Sequence, residues 1–142
     1  MKKLIILLFT VFLSVGSLSA QSTDVKKLIQ LANQGDVEAQ YFLGVAYDLG
    51  VEGVPQDDVQ AVKWYRLAAD QGYAEAQSKL GLMYQRGQGV PQDYVQAHMW
   101  FNLASAQGSK SGKSNRDLVA GKMSPQQIAQ AQELARNWKP KK

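Results

Sequence analysis

This sequence predicts an all-α solenoid of two helix pairs, with a half-repeat before them and a helical cap behind. The chain duplicates itself at a period of roughly 36 residues, the spacing at which a helix pair recurs in stacked repeats. Glu38-Ala39-Gln40, Leu43-Gly44 and Tyr47 return as Glu75-Ala76-Gln77, Leu80-Gly81 and Tyr84. Gly53-Val54-Pro55-Gln56-Asp57, Val59-Gln60-Ala61, Trp64, Leu67-Ala68 and Gln71-Gly72 return as Gly89-Val90-Pro91-Gln92-Asp93, Val95-Gln96-Ala97, Trp100, Leu103-Ala104 and Gln107-Gly108. Helix start and stop signals fall at the same places in both copies. No segment alternates apolar and polar residues long enough to compete as a strand.

Taken in order, Met1-Lys2-Lys3 is a basic start, Leu4 to Leu13 an apolar run, and Ser17-Leu18-Ser19-Ala20 a small-residue cleavage site. Residues 1–20 therefore read as a signal peptide. Thr10, Ser14 and Gly16 break the run, which is shorter than the ~20 residues of a spanning helix. Cleavage near Ala20 predicts an exported chain, periplasmic or secreted. It has no Cys and hence no disulfide. Residues 21–35 hold one helix, near 24–34. There Val25-Lys26, Ala32 and Gln34-Gly35 match Val62-Lys63, Ala69 and Gln71-Gly72, as in the second half of a missing repeat. Residues 36–72 form the first full repeat, with helices near 37–49 and 58–71. Residues 73–108 form the second, with helices near 74–86 and 94–107. Residues 109–142 supply capping helices near 111–121 and 125–138, then a basic tail.

The boundaries follow from capping chemistry. Asp36 is a plausible N-cap, and Asp57 and Asp93 each precede a Gln three residues later, a capping-box pattern. Ser124-Pro125-Gln126-Gln127 repeats it, with Pro at the first helical position. Gly50 and Gly87 suit left-handed C-caps, and Gly35, Gly72 and Gly108 close the other helices.

Within the pairs, Ala39, Leu43 and Tyr47 share one stripe, while Ala61, Trp64, Tyr65 and Ala68 share another. Ala76, Leu80, Tyr84, Trp100 and Ala104 are their copies. Gly44 and Gly81 lie inside helices, where Gly costs about 1 kcal/mol relative to Ala. A cost paid twice at one place predicts close helix approach, with the Tyr47 and Trp64 rings filling the space between layers. In the last helix, Ile128, Ala131, Leu134, Ala135 and Trp138 form the apolar stripe, and Gln126, Gln130, Glu133 and Arg136 face outward.

Charge is divided along the chain. Residues 36–108 carry nine acidic and four basic side chains, whereas residues from 109 onward carry eight basic and two acidic. Basic charge confined to one end argues against nucleic acid as a partner. It predicts weak contact with anionic surfaces through Lys110, Lys113, Arg116, Lys139, Lys141 and Lys142, with Lys122 beside them. Chemistry is sparse. His98 stands alone, where the first repeat has Val62, and reads as a helix-surface residue without a base–nucleophile set. Asp57-Asp58 at a helix start suits capping and the macrodipole better than a cation. Gly87-Gln88-Gly89 fits an inter-helix turn better than a phosphate loop. The sequence therefore predicts no cofactor, no metal and no catalytic residue.

The unit Ala-Gln-x-x-Leu-Gly-x-x-Tyr, then Gly-x-Gly-Val-x-x-Asp, then Ala-x-x-Trp-Tyr-x-x-Ala-x-x-Gly resembles the Sel-one-like repeat, a relative of the tetratricopeptide repeat. The second copy has Phe101 in place of Tyr, and the first has Val51-Glu52 where the second has Gln88. The resemblance covers residues 36–108. It implies a right-handed superhelix whose first helices line a concave face, in proteins that act as adaptors and scaffolds. One disulfide-rich branch is linked to penicillin binding and hydrolysis; without Cys, nothing of it carries over. On this face the stripe turned away from Leu43 and Tyr47 holds Tyr41, Val45 and Asp48, and its copy holds Ser78, Leu82 and Gln85. These positions differ between repeats while core positions agree. They are the candidate contacts for a protein partner in the bacterial envelope, with Tyr41, Val45, Leu82 and Gln85 carrying most of the binding. The expected role is a non-enzymatic adaptor. The alternatives are a regulator or cognate inhibitor of an exported enzyme or toxin, and a hydrolase of cell-wall material or β-lactams.

Overall fold

The computed structural model describes residues 18–51 and 53–142, so all but the last residues of the expected signal segment lie outside it. Seven helices and no strand occur among the described residues: α1 Leu18–Asn33, α2 Val37–Leu49, α3 Asp58–Asp70, α4 Ala74–Arg86, α5 Tyr94–Ala106, α6 Lys110–Ala120 and α7 Pro125–Asn137. The ends agree with the expected ones to within a residue, except that α1 begins at Leu18 instead of near residue 24. Among the described residues, no helix is long and apolar enough to cross a membrane.

The caps explain the agreement. Asp36, Asp57 and Asp93 accept from the backbone N–H three residues on, at 2.8, 3.0 and 3.1 Å. Among the described residues, the reciprocal half of a capping box forms only at α7. There Gln127 N–H donates to Ser124 Oγ, and Ser124 N–H donates to Gln127 Oε1 at 2.9 Å. Gly50 and Gly87 end α2 and α4 in the left-handed region, φ 68° and 66°, which a side chain would strain.

Packing follows the repeat. Each first helix lies on its own second helix, α2 on α3 and α4 on α5, and each second helix carries the next first helix. α1 serves as the expected half-repeat, since Leu28 and Ala32 join Ala39, Leu43 and Trp64 in one cluster. The central cluster runs from Ala61, Tyr65 and Ala68 through Ala76 and Leu80 to Trp100. Gly44 and Gly81 are where helices touch, but the rings against them are Tyr65 and Phe101, not Tyr47 and Trp64. A Cβ at Gly44 would lie 2.6 Å from Tyr65 Cδ1, and one at Gly81 would lie 2.6 Å from Phe101 Cε1. Both rings are fully buried. They come from the neighbouring second helix one residue beyond Trp64 and Trp100.

Two buried amides tie the layers together. Gln40 donates to Ala32 O at 3.3 Å and accepts from Gln71 at 2.8 Å; Gln77 donates to Ala69 O at 3.2 Å and accepts from Gln107 at 2.9 Å. The pattern recurs because a buried amide must find partners, and here one comes from the helix before and one from the turn that closes the same repeat.

The terminal cap departs from simple stacking. α6 packs on α5 as a third first helix, but α7 packs chiefly on α5 as well. It covers the outer stripe of α5, where Met99 is buried and Leu103 half-buried. On α3 the equivalent Lys63 and Leu67 are both exposed, Leu67 at 40%. Trp138 meets Trp100 edge-on at 6.2 Å, Ala131 is buried, and Leu134 turns outward instead of joining the stripe. After Pro140, the Lys141 N–H donates to Asp70 O at 2.7 Å and its ammonium pairs with the Asp70 carboxylate at 3.1 Å. The tail is therefore strapped to the end of α3.

Candidate partner-binding face

The first helices α2, α4 and α6 make the face on which a partner was expected. The six candidate residues are not a free stripe on it. Tyr41 and Val45 pack onto the central cluster, and Ser78 is buried. Asp48 accepts a hydrogen bond from the Tyr65 hydroxyl at 3.0 Å. Leu82 packs on the cluster of Ala97, Phe101 and Val119. Gln85 is half-buried; its backbone O accepts from Gln92, and its Oε1 has no partner among the described residues. The cause is geometric. Asp48 and Leu82 reach their own second helices, whereas Tyr41 and Ser78 abut the turn that opens the next first helix, which is the seam between units.

The seam differs from one unit to the next. Between α2 and α4, Tyr41 lies 5.2 Å from Phe42, 5.2 Å from Tyr73 and 6.0 Å from Tyr65, ring centre to ring centre. Between α4 and α6, the same two positions hold Ser78 and Ser109, whose hydroxyls are 3.3 Å apart. Ser109 also caps α6 through Gly112 N–H at 3.0 Å, whereas Tyr73, at the N-cap of α4, makes no side-chain capping bond. Burial pushes the Tyr73 hydroxyl up to about 12, with Glu75, Glu38 and Tyr41 adding to it. Burial, then Glu75 and Asp48, raise Tyr41 as well. Farther along, Arg66 donates to the Tyr84 hydroxyl and lies over its ring at 5.4 Å.

Away from the seam, two expectations change. His98 is buried at 3% exposure instead of lying on the helix surface, with its Nδ1 unpartnered among the described residues. Desolvation lowers its pKa first, then Arg116, against a smaller rise from Asp117. The unfolded chain gains the His98 proton near pH 6.5 and the folded chain only lower, so folding should weaken as pH falls below about 6.5. Urea unfolding between pH 7.5 and 5.5 should show this slope, and His98→Val, the first repeat's choice, should flatten it. An unchanged slope would remove His98 as its source. Among the basic residues, Lys110, Lys113, Lys139 and Lys142 stay exposed. Arg116 is instead held by Asn102 and Asp117 at 3.1 Å each, and Lys141 by Asp70.

The Sel1 repeat family model matches residues 37–73 and 74–109, just over half of the chain. The chain belongs to the Sel1 repeat family. Solved structures show the same repeat fold. A protective antigen of uropathogenic Escherichia coli strains displaying an SLR fold is 36% identical with a TM-score of 0.82, over 91% of this chain and 28% of that one. A Sel1 repeat protein from Oxalobacter formigenes is 33% identical with a TM-score of 0.65, over 69% of this chain and 40% of that one. The ERAD-associated E3 ubiquitin-protein ligase component HRD3A of Arabidopsis thaliana is 33% identical over 67 residues, 47% of this chain and 10% of that protein. The Sel1 chain thus spans less than half the length of each. Sel1 repeat proteins generally mediate protein–protein interaction, and the family is typically a non-catalytic scaffold.

Proposed function

We propose that this Sel1 chain is a non-enzymatic adaptor of the bacterial cell envelope that holds a protein partner on the face of its first helices. The observation that carries the reading is the contrast along the seam. Ala39, Leu43, Gly44, Trp64 and Ala68 are copied as Ala76, Leu80, Gly81, Trp100 and Ala104, whereas Tyr41, Val45 and Asp48 become Ser78, Leu82 and Gln85. Packing alone is satisfied by either set, which leaves the choice open to a partner. Export rests on the composition of residues 1–20.

Site-specific crosslinking tests it. A photoreactive residue at Lys79, on the first helix α4, should yield a discrete adduct in cell-envelope extracts. The same residue at Lys63, on the outer face of α3, should not. Adducts from Lys63 alone, or from a soluble cytoplasmic fraction alone, would overturn the reading.

A further inference from the structure

We propose that the Tyr41–Tyr73 seam receives a positively charged side chain, arginine or lysine, from a basic segment of the protein partner. The inference rests on the adaptor reading and names the chemistry of its partner.

Four observations carry it. Tyr41, Phe42, Tyr65 and Tyr73 bring four rings together at one seam, with Tyr41 at the centre of three contacts. Tyr41 and Tyr73 are only half-buried, so part of this aromatic surface meets solvent. Aromatic faces attract cations, and guanidinium stacks on them well.

Glu38 and Glu75 stand beside those rings, each on the second residue of its helix. Among the described residues the ion pairs are Arg116–Asp117 and Lys141–Asp70, and neither glutamate enters one. Lys79 lies one turn beyond Glu75 on α4. With Asp48, Glu38 and Glu75 against Lys79, the patch remains negative. It sits in a stretch with nine acidic and four basic residues.

The seam also sacrifices local stability. Ser109 and Asp36 cap their helices by accepting a backbone N–H, as a first helix of this repeat requires. At the same place α4 has Tyr73, which makes no such bond. In exchange its ring packs on Tyr41 and the central cluster, and a capping bond given up for an aromatic wall is a local rule broken where a site is being built. The next seam, with Ser78 and Ser109, shows that the fold does not need the rings.

The test uses the full chain and a fluorescent peptide of alternating Gly and Arg or Lys, with a control in which citrulline and acetyl-lysine replace the charged residues. The basic peptide should bind about tenfold more tightly than the control at low salt, and the difference should shrink as salt screens it. Tyr73→Ser should leave the chain folded, the restored cap offsetting part of the lost ring packing, yet lower affinity for the basic peptide about fivefold or more. Glu38→Gln with Glu75→Gln should weaken binding and flatten its salt dependence, while Glu133→Gln on α7 should not. Equal binding of both peptides, or affinity unchanged by Tyr73→Ser, would overturn the proposal. In that case a Lys79 adduct of an envelope protein would still leave the adaptor reading in place. Loss of the adduct as well would remove both.

Discussion

Phe101→Ala should lower the unfolding free energy by about 3–5 kcal/mol, the range for deleting a buried aromatic ring. Phe101 is fully buried on α5, and its ring fills the notch that Gly81 leaves in α4. The same residue packs with Ala97 and Val119, so one truncation loosens the second repeat and its junction with α6. The glycine gives the control. Gly81→Ala alone places a methyl 2.6 Å from the ring and should cost about 1–3 kcal/mol through overpacking, despite the better helix propensity of Ala. With the ring removed, the three nearest contacts of that methyl are gone. Gly81→Ala should then cost nothing or stabilise, so the two changes couple strongly in a double-mutant cycle. Urea unfolding of the four proteins measures it. Simple additivity would show that Gly81 is kept for some reason other than the ring.

The repeat made most of this fold legible. Helix ends were readable because Asp36, Asp57, Asp93 and Ser124 act locally, each on an N–H three residues away. The buried set was readable because both copies agree on it. What stayed hidden depends on contacts distant in sequence. Tyr65 was placed in the core, but the motif does not say that it, and not Trp64 or Tyr47, meets Gly44. Only the rotation of α3 against α2 decides that. The seam is hidden for the same reason. Alternation along α2 separates the face on α3 from the opposite face, yet a solenoid buries that opposite face under the next unit, which is why Ser78 is buried. A cue was available for α7: Met99 and Leu103 replace Lys63 and Leu67, making the outer stripe of α5 more apolar than that of α3. A cue existed for His98 too, since the first repeat holds the apolar Val62 at the same position, and Val62 is buried as well.

Trp100→Ala should rival Phe101→Ala in cost, at about 3–5 kcal/mol, and should also release the C-terminal arm. Trp100 is 3% exposed and lies in the central cluster with Tyr65, Ala76 and Leu80. Its edge meets Trp138 at 6.2 Å with the planes 73° apart, a favourable aromatic arrangement. Trp138 in turn sits near Gly72, just ahead of the Lys141–Asp70 strap. Removal of the Trp100 ring therefore takes away the floor on which α7 and the tail rest. Amide exchange should accelerate across residues 125–137 more than across residues 74–86. Trp100→Phe should cost less than half as much. The buried indole N–H has no protein partner among the described residues, so losing it leaves no acceptor orphaned. Trp138→Ala should free α7 with little effect on the two full repeats, because it removes only the arm's side of the contact. If Trp138→Ala instead unfolds the repeats as readily as Trp100→Ala, then α7 is an integral wall of the solenoid and not an arm laid across α5.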